Sequence, residues 1–205
     1  MEDVATPEAF ARDPLLVWRF YAMRREKAKS AQPNPAHLAI ARMQALFGSF
    51  CVVTQNVDGL HQRAGSRPVL ELHGSLWTVR CTGCGASRVD EQVPLPELPP
   101  RCPVCGGMER PGVVWFGEAL PEAVWREAEK LCQAVDGMVV VGTSGVVWPA
   151  AGLVELAAAS GAVVVEVNPE PSALAHLARV HIPMKAGQAL PALEAALRKK
   201  ADAGC

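Results

Sequence analysis

Two close pairs of cysteines place the strongest constraint on how this 205-residue chain folds. Cys81 and Cys84 form the first pair, Cys102 and Cys105 form the second, and 17 residues lie between the pairs. This spacing matches the two knuckles of a tetrahedral structural zinc site, whereas redox dithiols usually occur as a single pair. Four sulfur ligands close the coordination shell. The sequence therefore predicts a Zn²⁺ ion that holds a small module together and carries out no chemistry.

The composition supports a folded core and excludes several kinds of partner. Half of the residues are hydrophobic, and the formal net charge of -1 gives no electrostatic reason to expect nucleic acid. The longest apolar stretches are strand-sized, so no membrane span is expected. Residues 1–10 lack the features of a secretory signal, which favours a cytoplasmic protein. Of the three remaining cysteines, Cys51 and Cys132 are interpreted as buried inert thiols, and Cys205 is left unpaired.

Helices and strands alternate on both sides of the cysteine module. This pattern predicts an α/β fold with a Rossmann-like parallel sheet flanked by helices, formed by residues 1–70 and 112–205 and interrupted by a zinc ribbon at 71–111. Helices are predicted at 14–29, 34–48, 121–134, 149–160 and 189–199, and strands at 49–54, 137–141, 162–167 and 180–183. Ligands of such sheets bind at the carboxyl ends of the strands. The polar segments 54–58 and 142–144 should therefore meet Asn168 in one cleft.

Several short motifs occur in a characteristic order along the chain. They are Thr-Gln-Asn-Val-Asp-Gly-Leu-His at 54–61, Leu-His-Gly at 72–74, the two cysteine pairs, Val-Val-Trp-Phe-Gly-Glu at 113–118, Gly-Thr-Ser at 142–144 and Val-Asn-Pro at 167–169. On composition alone, the first of these could be a solvated loop with a helix cap. Taken together, the motifs resemble the sirtuin family of NAD-dependent protein deacylases.

The resemblance implies a role for each motif. His73 would be the general base, since an imidazole titrates near neutral pH. His61 is interpreted as structural. Residues that would bind NAD are Gln55, Asn56, Val57 and Asp58 at the nicotinamide and ribose, Gly142, Thr143 and Ser144 at the ribose and phosphates, and Asn168, Pro169, Glu170 and Ala186 at the adenosine. The backbone of the substrate would pair with Val113, Val114, Trp115, Phe116 and Gly117 as an added strand.

The implied reaction consumes NAD and an acyl-lysine protein or peptide. It releases free lysine, nicotinamide and an O-acyl-ADP-ribose, and the enzyme would act as a monomer. Two alternatives remain open at this point. One is a zinc-ribbon module that binds a protein without catalysis, and the other is transfer of ADP-ribose onto a protein.

One further pair of residues points to the acyl group. Tyr21 and Arg24 are three residues apart in the predicted helix 14–29, so a phenol and a guanidinium share one face. The two groups can bind the same carboxylate. The Tyr-x-x-Arg pair resembles the signature of sirtuins that remove succinyl and malonyl groups.

The resemblance does not include the N-terminal part of a typical sirtuin. Family members open with a strand, a Gly-Ala-Gly loop and a Pro-Thr-Phe-Arg segment, none of which occurs in this sequence. A glycine-rich loop and the helix that follows it bind the pyrophosphate. We therefore expect this chain to bind NAD weakly and to have little activity unless such a segment is supplied.

Overall fold

The computed structural model describes residues 4–203 and divides the chain into two compact units. Unit 1 comprises residues 1–32, 54–59 and 71–122, and unit 2 comprises residues 33–53, 60–70 and 123–205. The predicted zinc module at 71–111 falls within unit 1. Cys205 lies outside the described residues.

Seven helices and eight strands cover the described part of the chain, with short 3₁₀ turns at Gln44–Leu46 and Ala175–Leu177. The helices are α1 (Pro7–Arg12), α2 (Pro14–Ser30), α3 (Pro35–Met43), α4 (Leu60–Arg63), α5 (Glu122–Ala134), α6 (Gly152–Ala159) and α7 (Ala186–Asp202). The strands are β1 (Val52–Thr54), β2 (Val69–Glu71), β3 (Gly74–Cys81), β4 (Ser87–Val89), β5 (Glu109–Val113), β6 (Gly137–Val141), β7 (Val163–Val167) and β8 (Val180–Ile182). No described helix is long and apolar enough to cross a bilayer.

The first three helices begin in the same way, with a polar capping residue followed by proline. Thr6, Asp13 and Asn34 each accept a hydrogen bond from the backbone N–H three residues ahead, at 3.0, 2.9 and 3.1 Å. Proline at the first helical position lacks an N–H group that would otherwise have no partner. These local signals fix where α1, α2 and α3 start.

Unit 1 is built around an antiparallel sheet with the order β4-β3-β5. Helices α1 and α2 bury Phe10, Val17, Trp18 and Tyr21 in one cluster with Val79 and Trp115 of the sheet segment. The indole N–H of Trp18 donates to the carbonyl of Glu109 over 2.8 Å. This cluster attaches the two helices to the part of the chain that carries the cysteines.

A buried arginine makes a second attachment between α2 and the cysteine-bearing segment. The guanidinium of Arg25 donates to the side chain and the carbonyl of Asp90 at 2.9 and 2.6 Å, and to the carbonyl of Gln92 at 3.1 Å. Arg88 bonds the other oxygen of Asp90 and also Glu109. Removing any one partner would leave a buried charge unpaired, which is costly and would strongly destabilise the folded protein.

Unit 2 contains a parallel sheet with the order β6-β7-β8. The central strand β7 buries Val164 against Val154 of α6, and it buries Val167 in a separate cluster with α3 and α7. In the described part of the chain, β6 is bonded to β7 alone and leaves its other edge free. Strands β1 and β2 form a separate two-stranded sheet.

Helices α3 and α7 of unit 2 pack together through small side chains. Ala36 and Ala39 meet Ala189 and Leu190 in one buried cluster. At the edge of this contact, Glu194 accepts hydrogen bonds from Arg42 at 2.9 and 2.6 Å and from Arg198 at 2.8 Å. The bonds from Arg42 and then Arg198 lower the pKa of Glu194 to about 2.

The predicted α/β organisation is confirmed, and several boundaries differ. The prediction missed α1, although Thr6 and Pro7 are a helix-start signal. Helix α6 begins at Gly152 rather than at residue 149, because residues 148–151 form turns. Helix α7 begins three residues earlier and ends three residues later than the predicted 189–199. Packing against α3 extends it.

Candidate active site

His73 lies in the turn that joins β2 to β3. The turn is held on both sides of the histidine by backbone hydrogen bonds. Leu72 donates to the carbonyl of Thr54 over 2.9 Å, and Val114 donates to the carbonyl of His73 over 2.9 Å. Gly74 has a φ of +70°, and a Cβ atom there would collide with the carbonyl oxygen of Gly112. Glycine is therefore required directly after the histidine.

The hydrogen bond of the His73 ring decides which nitrogen can act as a base. Nδ1 lies 3.1 Å from the carbonyl oxygen of Gln55. A carbonyl oxygen can only accept, so Nδ1 carries the hydrogen and donates it. In the neutral ring, Nε2 then has a free lone pair. The side chain is half-buried, which leaves that lone pair room to receive a proton from a bound reactant.

The segment 54–59 is fixed against this turn and the following strand. Leu76 donates to the carbonyl of Val57 at 2.8 Å, and the indole of Trp77 donates to the carbonyl of Asp58 at 2.7 Å. Gly59 has a φ of +75° and lies too close to the Trp77 indole to carry a side chain. Gln55 and Asp58 are half-buried and Asn56 is exposed. The structure thus brings the four polar residues Gln55, Asn56, Asp58 and His73 into one rigid group of unit 1.

The residues predicted to bind the phosphates and the adenosine form a second group, in unit 2. Gly142 follows β6 with a φ of +60° and donates to the carbonyl of Val167 at 3.0 Å. The side-chain amide of Asn168 donates to the carbonyl of Thr143 at 3.0 Å. Strands β6 and β7 run parallel, so these two residues meet at the carboxyl ends of adjacent strands. Ser144, Pro169 and Glu170 are exposed on this edge.

Ala186 is the one member of the adenosine set with a packing role. It is the first residue of α7 and packs against the buried cluster shared by α3 and α7. Its backbone lies at the start of a helix of 17 residues. The structure therefore gives Ala186 a structural role beside any contact with a ligand.

The four predicted zinc ligands form a compact cluster. Their Sγ atoms all lie within 4.8 Å of one another, with Cys81 and Cys105 at 3.5 Å and Cys84 and Cys102 at 3.8 Å. Tetrahedral Zn–S bonds of about 2.3 Å require sulfur atoms roughly 3.8 Å apart. Backbone N–H groups of Cys84 and Gly83 point at the sulfur of Cys81 and help to lower its pKa to about 6. The cluster fits a structural zinc ion.

Tyr21 and Arg24 lie on one face of α2, as predicted. Tyr21 is 2 % exposed, and its hydroxyl oxygen accepts a 3.0 Å hydrogen bond from the indole N–H of Trp115. Burial raises the pKa of the Tyr21 phenol. The Arg24 guanidinium lies 5.8 Å from the centre of the Tyr21 ring. No carboxylate among residues 4–203 forms an ion pair with Arg24.

The segment 113–118, which contains the residues predicted to pair with the substrate backbone, begins in a strand and ends in a turn. Strand β5 ends at Val113, and Phe116 and Gly117 form a turn in which Gly117 has a φ of +83°. The turn is closed by Glu118, which bonds Arg110 at 2.8 Å and accepts the backbone N–H of Trp115 at 2.8 Å. The pairing of residues 113–117 with the backbone of a substrate stays a prediction, and the Arg110–Glu118 ion pair holds the turn at the end of this segment.

A surface groove of about 420 Å³ in unit 2 does not contain any of the predicted site residues. It is lined by Phe47, Phe50, Leu70, Leu131 and other residues that include Cys51. Burial raises the pKa of Cys51 and raises the pKa of Cys132 to about 11. Both thiols therefore stay protonated at neutral pH, but only Cys132 is buried as predicted, whereas Cys51 is half-buried and lines the groove.

Comparison with known proteins agrees with this geometry. The Sir2 family profile matches residues 1–149. A protein of Pyrobaculum aerophilum named NAD-dependent protein deacylase 2 is 53% identical over 199 residues, which cover 97% of this chain and 80% of that protein. A crystal structure of a SIR2 homolog–NAD complex superimposes with a TM-score of 0.93 at 46% identity, covering 97% of this chain and 78% of the other.

A third relative has been solved with a peptide. It is the structure of Sir2Af2 bound to a myristoylated histone peptide, which has a TM-score of 0.83 and 38% identity and covers 98% of this chain and 86% of the other. The order of motifs, the four-cysteine cluster, the histidine turn and these comparisons lead to one conclusion: the chain belongs to the Sir2 family.

Proposed function

We propose that this chain is an NAD-dependent protein-lysine deacylase in which His73 is the general base. The observation that carries the proposal is the 3.1 Å contact between His73 Nδ1 and the Gln55 carbonyl, which leaves Nε2 as the proton acceptor. The names of the similar proteins support the activity class. General bases of this kind typically contribute about 10²- to 10⁴-fold to the rate.

NAD would supply the ribose carbon to which the acyl oxygen is transferred when nicotinamide leaves. The residues of the chain would bind and orient the reactants. Gln55, Asn56 and Asp58 would hold the nicotinamide and its ribose, and His73 would accept the proton of a ribose hydroxyl. Thr143, Ser144 and Asn168 would bind the phosphates and the adenosine ribose. Nicotinamide and an O-acyl-ADP-ribose would be the products.

The preferred acyl group would carry a carboxylate. Arg24 has a positive charge with no described carboxylate partner, and Tyr21 beside it has a hydroxyl whose oxygen is already bonded to Trp115. A succinyl or malonyl group could accept a hydrogen bond from each. An acetyl group offers no such acceptor. We therefore propose that desuccinylation and demalonylation exceed deacetylation.

Replacement of His73 by alanine tests the activity directly. We expect His73→Ala to lower NAD-dependent deacylation of lysine peptides by about 10²- to 10⁴-fold. His176 is a matched control, because its Nδ1 also contacts a backbone carbonyl, that of Ala173 at 3.0 Å, but on an exposed loop. His176→Ala should retain activity.

The products separate this function from the alternatives. Mass spectrometry should detect O-acyl-ADP-ribose in amounts equal to the released nicotinamide. Full activity of His73→Ala would refute the assignment of the base. ADP-ribose attached to protein, with no O-acyl-ADP-ribose, would instead show protein ADP-ribosylation.

A further inference from the structure

Trp115 makes a side-chain contact that its place in the substrate-binding segment does not explain. The indole is 3 % exposed and its N–H group donates to the hydroxyl oxygen of Tyr21, 94 residues away in the chain. The two rings also pack, with their centres 6.5 Å apart. Both partners are buried, so water does not compete for this bond.

The bond to Trp115 leaves the Tyr21 hydroxyl with one free donor. A hydroxyl has one hydrogen to donate and two lone pairs. The indole nitrogen can only donate, so it occupies a lone pair of the Tyr21 oxygen and cannot receive the Tyr21 hydrogen. In residues 4–203 no acceptor receives that hydrogen. Because the hydroxyl is buried, only a group of a bound substrate that reaches it directly could accept this hydrogen.

The indole is itself held in place by charged neighbours. The Arg110 guanidinium lies 3.5 Å from the centre of the Trp115 ring, a close cation–π contact. Arg110 is bonded in turn to Glu118, and Glu118 accepts the backbone N–H of Trp115 at 2.8 Å. Burial acts to raise the pKa of Glu118, but the hydrogen bonds from Arg110 and Trp115 outweigh it, so the pKa lies below its usual range. The carboxylate stays charged and the ring stays fixed.

We infer that Trp115 is a positioning residue for acyl selectivity, which directs the Tyr21 hydroxyl hydrogen toward the carboxylate of a succinyl- or malonyl-lysine. This inference rests on the proposed function, because it requires that Tyr21 and Arg24 receive the acyl carboxylate. Trp115 acts through Tyr21 and need not touch the acyl group. A phenylalanine in its place would keep an aromatic ring beneath Arg110 and remove the N–H group together with part of the indole's volume, a loss that the control variant below shares.

The experiment compares kcat/KM for succinyl- and acetyl-lysine versions of one peptide. We expect Trp115→Phe to lower the succinyl-to-acetyl ratio about three- to tenfold, the worth of one neutral hydrogen bond, mainly through a higher KM for the succinyl peptide. Tyr21→Phe should lower the ratio as well. In the double variant, Trp115→Phe should add nothing to Tyr21→Phe, since the shared contact is already gone.

Trp18→Phe is the matched control for loss of a buried indole N–H group. Trp18 belongs to the same buried cluster and donates to the Glu109 carbonyl at 2.8 Å. Its replacement should leave the ratio at the wild-type value. An equal fall of the ratio in Trp18→Phe would mean that general loosening of the core is responsible, and would overturn the inference.

The outcomes separate the inference from the function on which it rests. If Tyr21→Phe lowers the ratio but Trp115→Phe does not, the positioning role is wrong and the acyl preference stands. If Tyr21→Phe leaves the ratio unchanged, the acyl preference itself is wrong and the inference falls with it.

A spectroscopic measurement does not depend on turnover or on the variant enzymes being active. The ¹H–¹⁵N resonance of the Trp115 indole in the wild-type protein should shift when the succinyl peptide is added and much less with the acetyl peptide. Equal shifts with both peptides, or none with either, would contradict coupling of the indole to the acyl carboxylate.

Discussion

Within residues 4–203, three side chains of unit 1 each have one hydrogen-bonding group without a described partner. His73 has a free lone pair at Nε2, Tyr21 has a free hydroxyl hydrogen, and Arg24 has a guanidinium with no described carboxylate. Fixing one side of a polar group determines what the other side can bind. This is the form of preorganisation that raises selectivity without large movements.

The charge of Arg24 can be tested by replacing it with methionine, which keeps an unbranched side chain but removes the guanidinium. We expect Arg24→Met to lower kcat/KM for a succinyl peptide about 10- to 100-fold, because a charge-assisted contact is worth about 1.5–3 kcal/mol. The acetyl peptide should be affected far less. Steady-state kinetics on both peptides will measure the difference.

Arg19 supplies the control for this substitution. It is an exposed arginine on the same helix α2, so Arg19→Met removes one positive charge from this helix at a different face. Both activities should be retained. Equal losses on the two peptides in Arg24→Met would show that the guanidinium does not recognise the acyl carboxylate.

The sequence predicted the cysteine cluster correctly, because two pairs with a local spacing contain all four ligands. The role of His73 as the base stays a prediction. The bond between Trp115 and Tyr21 could not be predicted, because it joins side chains from distant segments and depends on how α2 packs on the sheet. The ion pair of Arg110 and Glu118 could not be predicted either, because two opposite charges eight residues apart in a sequence do not by themselves indicate a contact.

At the scale of helices, the contact between α3 and α7 should depend on pH through Glu194. Its pKa of about 2 is below the ordinary value of about 4.3 for glutamate, so the folded state favours the charged form. Its contribution to stability is therefore complete above pH ~4.3 and is lost as the pH falls toward 2. Urea unfolding across this range should show Glu194→Gln less stable than wild type near neutral pH and the difference shrinking in acid.

Glu155→Gln is a suitable comparison because Glu155 is exposed on α6 and lies outside this contact. It should unfold like the wild-type protein at every pH. A stability difference between Glu194→Gln and wild type that stays constant down to pH 2 would contradict the role of the Arg42 and Arg198 bonds.

The ends of helices and strands were predicted best where capping signals are strong, and worst where tertiary packing determines the end of an element. The strand 137–141 agrees at both ends, and α2 and α5 each differ by one residue at one end. In α7, Pro191 lies in the sixth position, although proline favours the first turn. Burial of Ala189 and Leu190 against α3 stabilises the turn before this proline, which local sequence does not reveal.

For the molecule as a whole, the zinc site should decide whether unit 1 folds. Strands β3, β4 and β5 form a small sheet whose loops carry all four cysteines or end at them. Zinc binding contributes about 10 kcal/mol or more to folding in small zinc domains. We expect one zinc per chain by metal analysis, and we expect Cys84→Ser to lose it and to unfold unit 1 at a lower temperature.

Cys51→Ser is the control, because Cys51 lies outside the four-cysteine cluster and is only half-buried. It should bind zinc as the wild-type protein does. A wild-type protein whose thermal unfolding is unchanged after its zinc has been removed by a chelator would disprove the structural role of the ion.

The buried Arg25 links the zinc-binding segment to the helix proposed to select the acyl group. It attaches helix α2, which carries Tyr21 and Arg24, to Asp90 and Gln92 in the segment between the two cysteine pairs. Disorder of that segment would release the helix that carries the two residues proposed to bind the acyl carboxylate. On this proposal, loss of zinc would change the choice of substrate as well as lower the stability of unit 1.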